Sequence, residues 1–289
     1  MNQPTLARAT LIGGRGFIGR HLAADLRRRG LEVQTPYRLE AWEESDTDLL
    51  IWAAGCTPDD EREPGTTIAA HAADLARALA TKRYRVLIYL SSARLYERRP
   101  GRVSEATPLG LDPADPGQLY DLSKGLGEWL VRHHAAPRAH VLRLADVYAD
   151  DLDGGSLLED LIARALEGWS GAVDAAPDAA RDYAHVEDVC RAIWAVAESG
   201  TRPLYLVGSG ETIDNQTLFG LLSERTGVRI EPQRAPEGVI DPTLDVSALE
   251  ADLGLRPRAL SEGLDRVLTF QDNQRAMRSM MGVTAMPWM

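Results

Sequence analysis

The chain has 289 residues, 44% of them apolar and 26% charged, the balance of an ordinary globular protein with room for one large α/β unit or a core plus a small lobe. Its net charge of −11 argues against a nucleic-acid-binding surface, which needs a surplus of Lys and Arg on one face. No run approaches about eighteen apolar residues and no basic-then-apolar leader opens the chain, so a cytoplasmic protein without a membrane span is expected; Cys56, Cys190 and the six histidines show neither a disulfide framework nor metal-ligand spacing.

Taken in order, "ATLIGG" reads as a strand and "FIGRHLAADLRRRG" as a helix, with Ile18, Leu22 and Leu26 on one face and Gly30 placed to stop it. Between them, "LIGGRGFIGR" sets Gly13, Gly16 and Gly19 in a G-x-x-G-x-x-G array. Glycine there permits a tight turn and lets the backbone approach a pyrophosphate at the helix N-terminus, where free N–H groups and the dipole favour an anion. Arg15, Phe17 and Ile18 lie in the same loop and first turn, and are expected to contact the cofactor with the glycines.

The second strand, "LEVQTPY", ends in Tyr37 and Arg38 rather than in the carboxylate that an NAD ribose favours. An arginine fork suits the 2′-phosphate of NADP, so Arg38 and Arg15 point to NADP, with NAD as the alternative. "DLLIWAAG" brings Ala53 and Ala54 to the cofactor side of a third strand, and "YRVLIYLSS", "AHVLRLADVY" and "PLYLVGSG" continue the series. Near-continuous apolar strands alternating with amphipathic helices indicate a parallel sheet covered on both faces, a doubly wound α/β fold.

Past residue 150 the alternation weakens: "DDLDGGS" and "DAAPDAARD" read as loops around the helix "LLEDLIARALEGW", and a further helix, "NQTLFGLLSERTG", precedes a Pro-rich crossing. The expected organisation is a dinucleotide-binding unit of residues 1–148, with 181–208 returning to it, and a smaller substrate-binding lobe from 149–180 and 209–289. The last stretch, "MRSMMGVTAMPWM", holds five of six methionines and reads as a tail packed on its own lobe or as a dimer contact or lid.

"QLYDLSK" is a candidate site, a modest signal when it stands alone. Its Lys124 is one of two lysines against thirty arginines, and it follows Tyr120 by four residues. On a helix that spacing returns both side chains to one face about 6 Å apart. Moving a phenol from a pKa near 10 to about 7 takes roughly 4 kcal/mol, the size of the attraction to one ammonium about 4 Å away at an effective dielectric of about 20. Lys124 alone is therefore expected to acidify Tyr120.

With the glycine array, "DLLIWAAG", "YLSSARLY", "YDLSK" and "RDYAHVEDV" in that order, the sequence resembles the extended short-chain dehydrogenase/reductase family, in its branch acting on nucleotide-linked sugars. The resemblance implies a Rossmann-type fold, Tyr120 as catalytic acid/base, Lys124 as its partner and Ser92 as the hydroxyl that orients the reacting oxygen, with Ser91 the near alternative. It also implies a homodimer and a small-molecule nucleotide-sugar substrate met by Arg94, Arg181 and Arg234, Arg181 alternatively pairing with Asp182 or Glu187. The family's dehydratases carry Asp-Glu where this chain has Ala93 and Arg94, and its supporting asparagine falls about at Ile68. Alanine cannot transfer a proton and arginine stays protonated, which leaves NADPH-dependent reduction of a 4-keto sugar, with NAD-dependent 4-epimerisation as the alternative and a non-catalytic dinucleotide sensor as the alternative of another class.

Overall fold

The computed structural model describes residues 6–37, 39–42, 46–55, 63–97, 99, 101–135, 138–238 and 242–280. Arg38, Cys56 and the end of the methionine-rich stretch lie outside them. In chain order the elements are β1 (Arg8–Ile12), α1 (Phe17–Arg28), β2 (Glu32–Gln34), β3 (Thr47–Trp52), α2 (Pro64–Ile68), α3 (Asp74–Thr81), β4 (Tyr84–Ser92), β5 (Arg102–Val103) and α4 (Leu119–His134). There follow β6 (Ala139–Leu144), β7 (Asp146–Tyr148), α5 (Leu157–Leu166), β8 (Gly171–Val173), β9 (Ala180–His185), α6 (Val186–Ser199), β10 (Leu204–Val207) and β11 (Thr212–Asp214). The chain closes with α7 (Asn215–Thr226), β12 (Ile230–Pro232), β13 (Thr243–Leu244), α8 (Ser247–Leu253) and α9 (Leu260–Met280).

Six strands form a parallel sheet in the order β10-β6-β4-β3-β1-β2, one from each of the six apolar runs. The order reverses beside β1, the crevice where open α/β sheets bind ligands. Helix α1 covers one face with Leu22 and Leu26 fully buried, each contributing about 1.5–3 kcal/mol relative to exposure. It ends at Arg28, two residues before Gly30. Between β2 and β3 the described residues hold only a short 3₁₀ turn, Leu39–Ala41.

The run "AHVLRLADVY" departs from the single strand expected. It leaves the main sheet at Ala145, and β7 pairs in parallel with β9 in a three-stranded sheet, Asp146 opposite Tyr183. A second apolar core gathers Leu158, Leu161 and Ile162 of α5, Leu218 and Phe219 of α7 and Leu264 of α9. Helix α5 starts at Ser156, whose hydroxyl accepts from the Glu159 amide while the Glu159 carboxylate reaches back, a reciprocal cap for otherwise unpaired donors. Helix α9 runs into the methionine-rich stretch, leaving Met277 and Met280 exposed. Among the described residues no helix is long and apolar enough to cross a membrane.

Candidate active site

At the start of α1, Gly13 has φ +86, and a Cβ there would lie 2.5 Å from the Ala53 carbonyl carbon. Only glycine lets β1 and the end of β3 come this close. Gly16 caps α1 without a side-chain hydrogen bond, and the first turn holds no acidic residue. The N-terminal amides of a twelve-residue helix are therefore open to an anion, a donor set that would fit a pyrophosphate. Gly13, Arg15, Gly16, Phe17, Ile18 and Gly19 lie together there, with Ala53 and Ala54 following β3. The Arg15 guanidinium stacks on the Tyr37 ring, 4.9 Å from its centroid.

Ser92 ends β4 beside β6, and its hydroxyl hydrogen-bonds the Tyr120 phenol. The Lys124 ammonium is buried, donates to the Leu90 carbonyl at 3.0 Å and sits 5.9 Å from the Tyr120 ring centroid. Helix α4 holds both residues against the sheet because Gly127 has no side chain: a Cβ would lie 2.2 Å from the Tyr89 hydroxyl and 2.5 Å from the His71 carbonyl oxygen. Burial pushes the Tyr120 phenol above its ordinary pKa; Ser92 and the Arg94 guanidinium pull it back, and Asp121 and Asp146 push it up. The acidified tyrosine expected from Lys124 alone is thus not the outcome, because that expectation weighed the ammonium and left out desolvation.

Below these residues lies a buried polar floor. Glu128, one turn after Lys124, accepts from Ser91 at 2.6 Å and from Arg143 at 2.6 and 2.8 Å. Arg143 also donates to the Tyr96 hydroxyl, which donates to the Ser104 carbonyl at 2.9 Å. Ser91 is thereby committed to the floor, while Ser92 is the serine that meets Tyr120.

An open cleft adjoins the site, lined by Arg94, Glu97, Ala145, Asp146, Arg181 and Leu244 among others. Arg181 faces Asp146 at 3.6 Å, with both side chains about half exposed. Asp182 instead accepts from Ser209 and Gly210, and Glu187 meets Arg258 and Arg266. Arg234 stands apart from this lining, pairing with Glu237 and Asp174. Among the described residues no group of three His, Cys, Asp or Glu could hold a metal ion.

His71 was missed by sequence reasoning. It lies in a π turn, Ala69–Ala73, between α2 and α3, fully buried, with Nδ1 2.8 Å from the Ser123 hydroxyl and its ring edge-on to Tyr120 at 5.1 Å. Burial and then the Lys124 charge lower its pKa to about 3, so it is neutral. Ile68, about where the family's supporting asparagine falls, is 41% exposed, whereas His71 three residues on is fully buried. A lone histidine among alanines carries no sequence signal of this.

The sequence model of the NAD dependent epimerase/dehydratase family matches residues 9–208. The chain is 30% identical to the dTDP-6-deoxy-L-talose 4-dehydrogenase (NAD(P)(+)) of Kitasatospora kifunensis, over 92% of this chain and 96% of that protein. It is 29% identical to the dTDP-4-dehydrorhamnose reductase of Mycobacterium tuberculosis, over 71% of each. Its fold is similar to that of MoeE5, solved with UDP-glucuronic acid and NAD, at a TM-score of 0.78 and 20% identity over 93% of this chain and 100% of that one. The sensor alternative gives way here, because the likeness to these enzymes runs through the same strands and helices that carry Ser92, Tyr120 and Lys124. The chain is an enzyme, and it belongs to the NAD dependent epimerase/dehydratase family.

Proposed function

We propose that this enzyme reduces a 4-keto sugar carried on a nucleoside diphosphate, with NADPH as the reductant. The observation that carries the reading is the grouping of Ser92, Tyr120 and Lys124 at the C-terminal edge of the sheet, followed by Ala93 and Arg94 rather than by two carboxylates. That pair cannot supply the acid and base of a dehydration. The relatives' reactions, 4-dehydrogenation and reduction of dTDP-linked deoxysugars, are of the same type and support it.

In this reading the α1 amides with Gly13, Gly16, Phe17, Ile18 and Gly19 hold the pyrophosphate, and Ala53 and Ala54 line the cofactor crevice. Arg15, braced on Tyr37, faces the 2′-phosphate together with Arg38. The bound nicotinamide supplies the hydride. Tyr120 gives its proton to the carbonyl oxygen, Ser92 donates a hydrogen bond to that oxygen, and the Lys124 ammonium meets the ribose and the phenolate that forms. Arg181 meets the substrate's phosphates, Arg94 borders the sugar where it reaches Tyr120, and Arg234 is the third candidate on the lobe. Residues 1–148 with 181–208 act as the cofactor unit, and 149–180 with 209–289 as the substrate lobe. A cytoplasmic homodimer completes the reading, supported by Leu126 and Trp129, which lie exposed on α4.

The second reading, NAD-dependent 4-epimerisation, uses the same three residues, and the likeness to the NAD-bound MoeE5 fold favours it. Mixing the protein with NADPH and dTDP-4-dehydrorhamnose, with other 4-keto sugars in parallel, tests the choice by loss of NADPH absorbance. Turnover is expected, and Tyr120→Phe should lower it by about 10²–10⁴-fold. NADPH binding with no turnover of any 4-keto sugar would end the reductase reading. NAD retained through purification, with inversion at C4, would favour the epimerase.

A further inference from the structure

We infer that Arg94 acts on Tyr120 itself: held by Asp121 and Glu97, its guanidinium is a second fixed cation beside the phenol, a positioning residue for the proton transfer rather than chiefly a contact for substrate phosphate. The inference rests on the reading of Tyr120 as proton donor. The Arg94 guanidinium carbon lies 5.7 Å from the Tyr120 ring centroid, against 5.9 Å for the Lys124 nitrogen. The two cations reach the ring from different elements, Lys124 from α4 and Arg94 from the 3₁₀ turn Ala93–Tyr96 that follows β4. The Arg94 amide also donates to the Ser92 hydroxyl oxygen at 3.1 Å, so one short turn orients both the serine and the cation.

The side chain is held in place. Its Nε donates to Asp121 at 3.3 Å, and Asp121 is buried, while Glu97 stands 3.7 Å away. A cation fixed before the reaction stabilises the emerging phenolate without reorganising when the proton leaves. An arginine that is only a phosphate contact has no need of a buried partner on the helix turn of the catalytic tyrosine.

The groups around the phenol bear on the sign, with Arg94 and its Glu97 partner on the 3₁₀ turn. From α4 come Lys124 and Asp121, from β4 Ser92 and Tyr89, from β7 Asp146, and from the π turn His71, which is neutral. The two aspartates oppose phenolate formation, and Arg94 favours it. Removing Arg94 should therefore raise the phenol's pKa, and removing the Asp121 charge should lower it. For ketone reduction the protonated phenol is the active form, so activity is lost as pH rises through that pKa. In the reverse oxidation the phenolate is active and activity is gained through the same pKa. Both limbs move up when Arg94 is lost.

The test titrates Tyr120 by ultraviolet phenolate absorbance, as the difference between each protein and the same protein carrying Tyr120→Phe. In Arg94→Gln the midpoint should rise by about one pH unit, and in Asp121→Asn it should fall. The high-pH limb of kcat with NADPH and a 4-keto sugar should follow, with the substrate's KM changed less than about threefold. Arg94→Lys, which keeps a charge but loses the fork, should show a smaller rise, and it serves if Arg94→Gln does not fold. An unmoved midpoint in both Arg94 variants overturns the inference, as does a KM increase of about tenfold with the limb unmoved. Full activity of Tyr120→Phe would sink the reductase reading instead, and the titration would still decide what Arg94 does.

Discussion

Arg143 and Arg181 each face a carboxylate at the site. Arg143 meets Glu128 with two nitrogens at 2.6 and 2.8 Å in a buried floor, whereas Arg181 approaches Asp146 at 3.6 Å with both side chains half in solvent. In the floor, Ser91, Tyr96 and the Ser104 carbonyl take up the remaining donors and acceptors, so removing one member strands the others. At the mouth, water can replace either partner. The same chemical pair is thus a tie between β4, β6 and α4 in one place and an exchangeable contact in the other. Buried pairs are costly to break, and exposed ones contribute little.

Breaking the floor should have the largest effect. Glu128→Ala leaves Arg143 buried without its carboxylate and should cost about 3–5 kcal/mol of unfolding free energy in a denaturant titration. A loss under about 1 kcal/mol would erase the contrast. At the mouth, Arg181→Met should change stability by less than about 1 kcal/mol yet raise the KM for a dTDP-linked keto sugar by about tenfold, through loss of a charged phosphate contact. Smaller and opposite in sign, Asp146→Asn should lower that KM about threefold if, as proposed, the diphosphate lies at this mouth, because the change removes an anion from it. If Arg181→Met and Asp146→Asn move KM in the same direction, the pair is not exchanging its partner for substrate.

The contrast also shows what could be read beforehand. The six strands of the main sheet, α1 and the Tyr120–Lys124 pair were legible because apolar periodicity and an i, i+4 spacing are local facts. Glu128 and Arg143, fifteen residues apart, were not, since a sequence does not distinguish a buried ion pair from two solvated charges. The split of "AHVLRLADVY" into β6 and β7 was hidden for a related reason: both halves have strand composition, and only the register Asp146–Tyr183 separates them. The phenol's raised pKa was out of reach because desolvation depends on the whole surrounding fold. Arg94 was legible as a residue two places after Ser92, while its hold by Asp121 depends on how α4 meets the turn after β4.

The wide turn at Ala69–Ala73 has a consequence for how this chain can change. Each residue of an α-helix rotates the path by about 100°, and a π turn absorbs one residue more than a regular turn. Deleting a single alanine there would leave composition and apolar content almost untouched. The helix could then rewind to regular spacing, and His71 would swing away from Tyr120 and Ser123. A comparison scored on residue likeness would treat that gap as nearly neutral, but the active site would lose a wall. The segment carries an angular phase as well as a composition, and only the phase keeps the histidine facing the tyrosine.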